Sequence, residues 1–306
     1  MKNTIISVVG PTAIGKTKLA IKIAQHFNTE IVSADSRQFF KEMRIGTAVP
    51  TKEELQAAKH HFIQNKSIEE PYSVGDFEKE ALACINNLHK QHSIVILVGG
   101  SGLYVDAVTK GFDKFPKIAP EIREKLNNTL INDGIIPLQE QLKLLDPKYY
   151  AVVDTENPHR VIRALEVCIG SGKPYSSFIT DKKINRPFNI ITVGITADRE
   201  IIYERINQRV DIMLKEGLLE EVKSLENKKH LNALNTVGYK ELFNYLNGEW
   251  TLEFAISEIK KNTRRFAKRQ QTWFKKNEDT LWVDYEYDWK QLSSILEIHV
   301  KEKASK

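Results

Sequence analysis

An α/β protein built on a parallel sheet is the fold this sequence predicts, and three observations predict it. Short apolar runs recur along the chain, the segments between them place apolar residues at helical spacing, and a glycine-rich turn joins the first run to the first helical pattern. The runs are continuous rather than alternating, which is the pattern of strands covered on both faces. Thr4–Val9 (TIISVV) is the first, with Gly10 directly after it. Residues 16–27 then carry Leu19, Ala20, Ile23, Ala24 and Phe27 on one helical face. Residues 30–34 and 93–98 (SIVILV) read as further strands, and Asn189–Thr196 (NIITVGIT) as a return to the sheet. Long helices are predicted over 199–226 and 252–276, with a late strand over 281–285.

Residues 113–188 have another character. Seven of the ten prolines fall there, β-branched runs are few, and helical patches appear at 121–131, 138–145 and 158–169. This stretch is predicted to be an all-helical domain inserted into a core formed by residues 1–112 and 189–306, the second part carrying a basic C-terminal helix.

At 41% hydrophobic and 28% charged, the 306 residues have the composition of a soluble chain able to bury a core. No apolar run approaches the roughly 18 to 20 residues that a membrane-spanning helix needs. The chain enters its first strand with no charged-then-apolar leader, so a cytoplasmic protein is expected. Cys84 and Cys168 are too few for a disulfide scaffold or a zinc module and are expected to be reduced thiols.

The net charge is 45 − 40 = +5, and its distribution matters more than its size. Residues 260–276 (KKNTRRFAKRQQTWFKK) hold eight Lys or Arg and no acid, so the remainder of the chain is 37 − 40 = −3. Lys261, Lys268 and Lys275 recur every seven residues and share a helical face, with Arg264 and Arg265 beside it. Ile259, Phe266 and Trp273 keep the same spacing and are expected to pack the helix down. Charge runs are commonly just solvated faces, but a basic stripe held against a protein body also suits a phosphate backbone. Lys261, Arg265 and Lys268 are therefore candidate nucleic-acid contacts.

Gly10, Pro11, Thr12, Ala13, Ile14, Gly15, Lys16 and Thr17 fit G-x-x-x-x-G-K-[ST] between a predicted strand and a predicted helix, the context this phosphate-binding loop (P-loop) requires. Glycines let successive N–H groups point inward, the helix N-terminus adds positive potential, and Lys16 reaches terminal phosphates. Thr17 offers a hydroxyl to Mg²⁺. An ordinary P-loop NTPase ends a neighbouring strand with a metal-holding acid. Here the strand over 93–98 ends instead in Gly99-Gly100-Ser101-Gly102. The carboxylate that does follow a buried strand is Asp35, either a helix cap or a site residue at the carboxyl edge of the sheet.

GPTAIGKT, DSRQFFKEMRIGTAVP, VGGSGLY, NPHRVIRALEV, DREIIYERINQRVDIMLKEGLLEEV, TVGYKEL and RRFAKRQQTWF follow one another across residues 4–283. In that order they resemble the tRNA dimethylallyltransferases, the isopentenyl transferases that modify adenosine 37 beside the anticodon, in their bacterial form. The resemblance implies a P-loop NTPase-like core with a helical insertion. It also implies transfer of a dimethylallyl group from dimethylallyl diphosphate to adenine N6, assisted by Mg²⁺, with pyrophosphate leaving. It implies Asp35 as general base, Arg209 on the departing pyrophosphate, and Ser101 at the diphosphate or the adenosine. Further tRNA contacts implied are Asp35, Ser36, Arg37, Gln38, Ser101, Arg123, Arg160, Arg163, Gly238, Tyr239 and Lys240. The chain departs from the family pattern with Ser101 for Thr, Arg44 for Asp, Val49 for Lys and Ile14 for Ser. No obligate protein partner is evident.

Two other classes compete on the residues alone. A small-molecule kinase would bind ATP on the same loop and use Arg205 and Arg209 as a lid, leaving the basic helix without a purpose. A non-catalytic nucleic-acid-binding NTPase would use the basic helix and leave Asp35 without one.

Overall fold

The computed structural model describes residues 3–180 and 184–304. β1 (Thr4–Val9) leads through the glycine-rich turn into α1 (Lys16–His26), followed by β2 (Ile31–Ser33) and α2 (Lys52–Ala57). The two-residue β3 (His60–His61), α3 (Val74–Leu88), β4 (Ile94–Val98) and α4 (Gly102–Thr109) complete the first half of the core. Next come α5 (Pro120–Asp133), α6 (Ile136–Leu145), the short α7 (Pro147–Tyr150) and α8 (Pro158–Ser171). The chain then runs through β5 (Asn189–Thr196), α9 (Arg199–Lys215), α10 (Leu218–Ser224), α11 (Tyr239–Leu246) and α12 (Leu252–Phe274). It finishes with β6 (Leu281–Asp284) and α13 (Trp289–Ala304).

All strand pairs are parallel, in the order β3-β2-β4-β1-β5-β6. The order reverses between β1 and β4, and the carboxyl ends of those strands are where ligands bind in open α/β sheets. The unbroken apolar runs now have their reason. Ile6, Val8 and Ile96 face α1, while Ile5, Val9, Val95 and Leu97 face Phe77, Ala81 and Ile85 of α3. Both faces of each strand are covered, so no position is left for a polar alternation. A third cluster, built on Met43, Val210, Leu218, Val222, Tyr239, Leu242 and Ile259, joins α9–α12 to the loop after β2.

The chain divides into two compact units, Met1–Gly111 with Asn185–Lys306, and Phe112–Ile184. Within the second, α5, α6 and α8 gather Leu126, Leu138, Leu142, Val161 and Leu165 into a separate core. Asn157 caps α8 by accepting the Arg160 N–H, and Pro158 occupies the first turn, where its missing N–H costs nothing.

Two expectations about elements need correction. The helix predicted over 199–226 is two helices, because Gly217 adopts a left-handed φ of 101° that ends α9 and restarts the chain as α10. The apolar spacing runs on through the break, which hid it from a periodicity argument. On α12 the buried residues are Ala255, Ile259, Ala267, Gln270 and Phe274, whereas Phe266 and Trp273 are 37% and 38% exposed. Of the three apolar residues seven apart, Ile259 is buried and Trp273, though partly exposed, sets its indole against Gly102 and Asp106, while Phe266 is exposed.

Candidate active site

The turn from β1 to α1 forms the floor of the site. Gly10 has φ 146°, and a Cβ there would lie 2.6 Å from the carbonyl oxygen of Ile195 on β5, so only glycine lets the loop leave the sheet at this point. Ala13 is held at φ 63°, and its carbonyl accepts a hydrogen bond from Arg205 Nε of α9 at 2.9 Å. That contact braces an uncommon backbone conformation from outside. Pro11 through Thr17 therefore present a fixed loop at the N-terminus of α1, where helix N–H groups and the dipole favour an anion.

Above the loop lies a cavity of about 890 Å³ to which Lys16, Thr17, Asp35, Gln38, Thr47 and Arg209 contribute. Lys16 Nζ donates to the Pro11 carbonyl at 2.7 Å. Burial pulls its amine down to about 7; the Asp35 carboxylate works against that and the Arg209 guanidinium with it. Burial also lowers Arg209, seconded by the charge of Arg205 one turn away, although a guanidinium stays cationic at neutral pH. Three cationic side chains so close together make a place that gains from taking up an anion such as a diphosphate.

Asp35 stands just past the carboxyl end of β2, where a turn rather than a helix follows it. Its Oδ1 accepts the N–H groups of Arg37 at 3.0 Å and Gln38 at 3.4 Å, capping the turn, while the carboxylate lines the cavity. Ser101 Oγ accepts the Ser36 N–H and donates to Ser36 Oγ, both at 3.0 Å, so the glycine turn after β4 is tied to the turn carrying Asp35. Gln38 spends its amide on the Thr47 and Ala48 carbonyls, at 3.2 and 2.9 Å. Arg37 donates to the Asn232 carbonyl at 3.3 Å and, through burial, sits below its ordinary range.

The remaining sequence candidates separate into exposed and occupied groups. Arg123 and Arg163 both donate to the nearly buried Glu166, at 3.1 and 2.9 Å, while Arg160 is exposed on the same helix as Arg163. Lys240, Arg265 and Lys268 are exposed. Lys261 is paired with Glu258, which diminishes it as a phosphate contact. The exposed side of α12 is richer than a charge stripe: Arg269 lies over the Phe266 ring and Lys276 over the Trp273 ring. Cations interleaved with exposed aromatic faces suit a nucleic-acid strand, whose phosphates and bases need both.

Tyr239 and Gly238 must be corrected as contacts. Tyr239 has no exposed surface and donates its hydroxyl to Glu221 at 2.6 Å; Gly238 is buried as well. Their segment braces the site from behind. Glu221, which no sequence signal marked, accepts the backbone N–H groups of Arg44, Ile45 and Gly46 at 2.9, 2.7 and 3.0 Å. It thus holds the IGTA loop through its backbone, which is why Arg44 can stand where the family pattern has Asp without releasing that loop.

No group of three or more His, Cys, Asp or Glu gathers to hold a metal among the described residues. Mg²⁺ commonly takes one or two protein oxygens and fills its shell with phosphate and water. The Thr17 hydroxyl at the cavity wall is such an oxygen. No helix is long and apolar enough to cross a membrane among the described residues.

The IPP transferase family matches residues 38–277. A tRNA dimethylallyltransferase of Flavobacterium johnsoniae is 64% identical over 290 residues, covering 93% of this chain and 94% of that protein. Another, from Christiangramia forsetii, is 59% identical and covers 97% and 98%. Among solved structures, the full-length tRNA isopentenylpyrophosphate transferase of Bacillus halodurans superposes with a TM-score of 0.73 at 37% identity, covering 99% of both chains. A eukaryotic dimethylallyltransferase acting on tRNA gives 0.77 at 26% identity, covering 92% of this chain and 74% of the other.

Proposed function

This chain belongs to the IPP transferase family, and we propose that it transfers the dimethylallyl group of dimethylallyl diphosphate to N6 of adenosine 37 in tRNA, releasing pyrophosphate. One observation carries the reading: the Asp35 carboxylate shares a single cavity with the cationic cradle of Lys16 and Arg209. A diphosphate leaving group and an amine that must lose a proton need that pairing of charges, at a short distance from each other.

Adenosine 37 lies stacked in the anticodon loop and must be extruded to be reached, at a cost of about a few kcal/mol, less for a loop than for a duplex. Its exocyclic amine is barely nucleophilic until the N6–C bond begins to form. As it does, the nitrogen becomes acidic, and Asp35 accepts the proton. The allylic C–O bond breaks with its electron pair going to the pyrophosphate, and the loop N–H groups, Lys16 and Arg209 are already aimed where that charge grows. Mg²⁺, held by the Thr17 hydroxyl and phosphate oxygens, would neutralise charge on the diphosphate. The exposed Arg160, Lys240, Arg265 and Lys268 supply phosphate contacts for the RNA. A small-molecule kinase needs no such row of cations and aromatics along α12.

Mass spectrometry of nucleosides from anticodon-loop RNA, incubated with the protein, Mg²⁺ and dimethylallyl diphosphate, tests the reading. An N6-dimethylallyl adenosine at position 37 is the expected product. ATP hydrolysis or phosphoryl transfer without that product would replace the transferase by the kinase.

A further inference from the structure

Gln270 lies on α12, the helix whose other side carries the exposed cations, yet only 6% of its own surface is exposed. Its Oε1 accepts the N–H of Thr12 in the phosphate loop at 2.8 Å, and its Nε2 donates to the carbonyl of Gly100 at 2.8 Å. One partner is a donor and the other an acceptor, so a carboxamide in this orientation satisfies both, and neither a carboxylate nor an ammonium can. Thr12 belongs to the diphosphate cradle. Gly100 precedes Ser101, whose hydroxyl is joined to Ser36 beside Asp35. One side chain thus spans the leaving-group half of the site and the half that carries the base.

Space has been cleared for this arrangement. A Cβ at Gly100 would lie 2.5 Å from Gln270 Nε2, and one at Gly102 would collide with the indole of Trp273. Trp273 follows Gln270 by three positions on one side of the helix, and its Nε1 donates to Asp106 of α4 at 3.1 Å. The glycine turn after β4 is therefore seated on two side chains of α12.

We propose that Gln270 is a positioning residue that sets the phosphate loop and the Gly100–Ser101 turn in register, an inference that rests on the transferase reading for its second half. It touches no substrate; it acts through Thr12 N–H on the diphosphate site and through Ser101 and Ser36 on the Asp35 turn.

Gln270→Met removes both hydrogen bonds at similar volume and without adding charge. Calorimetry with inorganic pyrophosphate and Mg²⁺ should show affinity weakened by about five- to twentyfold, and single-turnover transfer at saturating substrates should fall about tenfold or more. Affinity for tRNA alone should stay within about twofold, because the exposed side of α12 is untouched. Gln270→Glu keeps an acceptor for Thr12 but turns an oxygen on the Gly100 carbonyl, and it should lose as much. A Met variant with wild-type pyrophosphate affinity and saturated rate, changed only in melting temperature, would overturn the proposal. Should that variant not fold, Gly100→Ala displaces the carboxamide from the other side at a backbone position outside the left-handed region, and wild-type behaviour there overturns it equally. The pyrophosphate titration uses neither tRNA nor an allylic compound. A wild-type protein that fails to prenylate RNA would sink the transferase reading alone, while a prenylating protein indifferent to Gln270→Met would sink this inference alone.

Discussion

Diphosphate binding should draw a proton from solution, and Lys16 is the group that takes it. In the free protein, burial holds its amine at about 7 against the nearby Asp35 carboxylate, with Arg209 adding to the burden. A diphosphate laid against the loop reverses the sign of that environment and returns the amine to its ordinary range or above. The bound pKa then exceeds the free one, so affinity is full below the free value and declines as pH rises toward the bound value. At a pH of about 8 only about a tenth of the free amine is charged, so apparent affinity should be about tenfold below its acid limit, and at about 9 roughly a hundredfold. Each pH unit in that window corresponds to about 1.4 kcal/mol. The assay is calorimetry of an allylic diphosphate analogue in two buffers of different ionisation enthalpy, for wild type and Lys16→Met. The difference between the two proteins cancels the ligand's own protons. It should show about half a proton taken up near a pH of about 7 and about nine-tenths near 8. Equal uptake by wild type and variant at the higher pH would show that Lys16 is already charged when empty, and the electrostatic account of the cradle would fail.

Asp35→Asn keeps shape and an acceptor oxygen for the Arg37 and Gln38 N–H groups but cannot take a proton. Single-turnover transfer should fall by about 10² to 10⁴ with both substrates bound within a few-fold of wild type; a near-normal rate would reduce Asp35 to a turn cap. Replacing Arg265, Lys268 and Lys275 by Gln should lower the log–log salt slope of tRNA binding by roughly 0.7 to 0.9 per lost phosphate contact. An unchanged slope would return α12 to a solvated face. Tyr239→Phe leaves the half-buried Glu221 one donor short and should cost about 1 kcal/mol in urea unfolding. Its tRNA affinity should fall no further than that loss of stability accounts for, since a direct contact is the one thing a buried hydroxyl cannot make.

Much of this protein could be read along the chain because the physics there is local. Buried strands show as unbroken apolar runs, and the loop from Gly10 to Thr17 announces itself because a backbone cradle needs glycines and one lysine at a set spacing. The proline-rich helical stretch stood apart by composition. What spacing could not decide was which way a side chain faces. Phe266 has the periodicity of a packed face and is exposed, while Gln270, polar and in the middle of a basic run, points inward because two backbone groups far away in sequence, Thr12 N–H and the Gly100 carbonyl, require it. Tyr239 sits in a motif that reads as a contact, and tertiary packing buries it against Glu221. Glu221 itself is one acid among several on an exposed-looking helix, and only the fold brings the N–H groups of residues 44–46 to it. Short-range geometry is written in neighbours and spacing; which donor meets which acceptor across about two hundred residues is decided when the sheet and its helices close, because buried polar groups must find partners wherever the chain has put them.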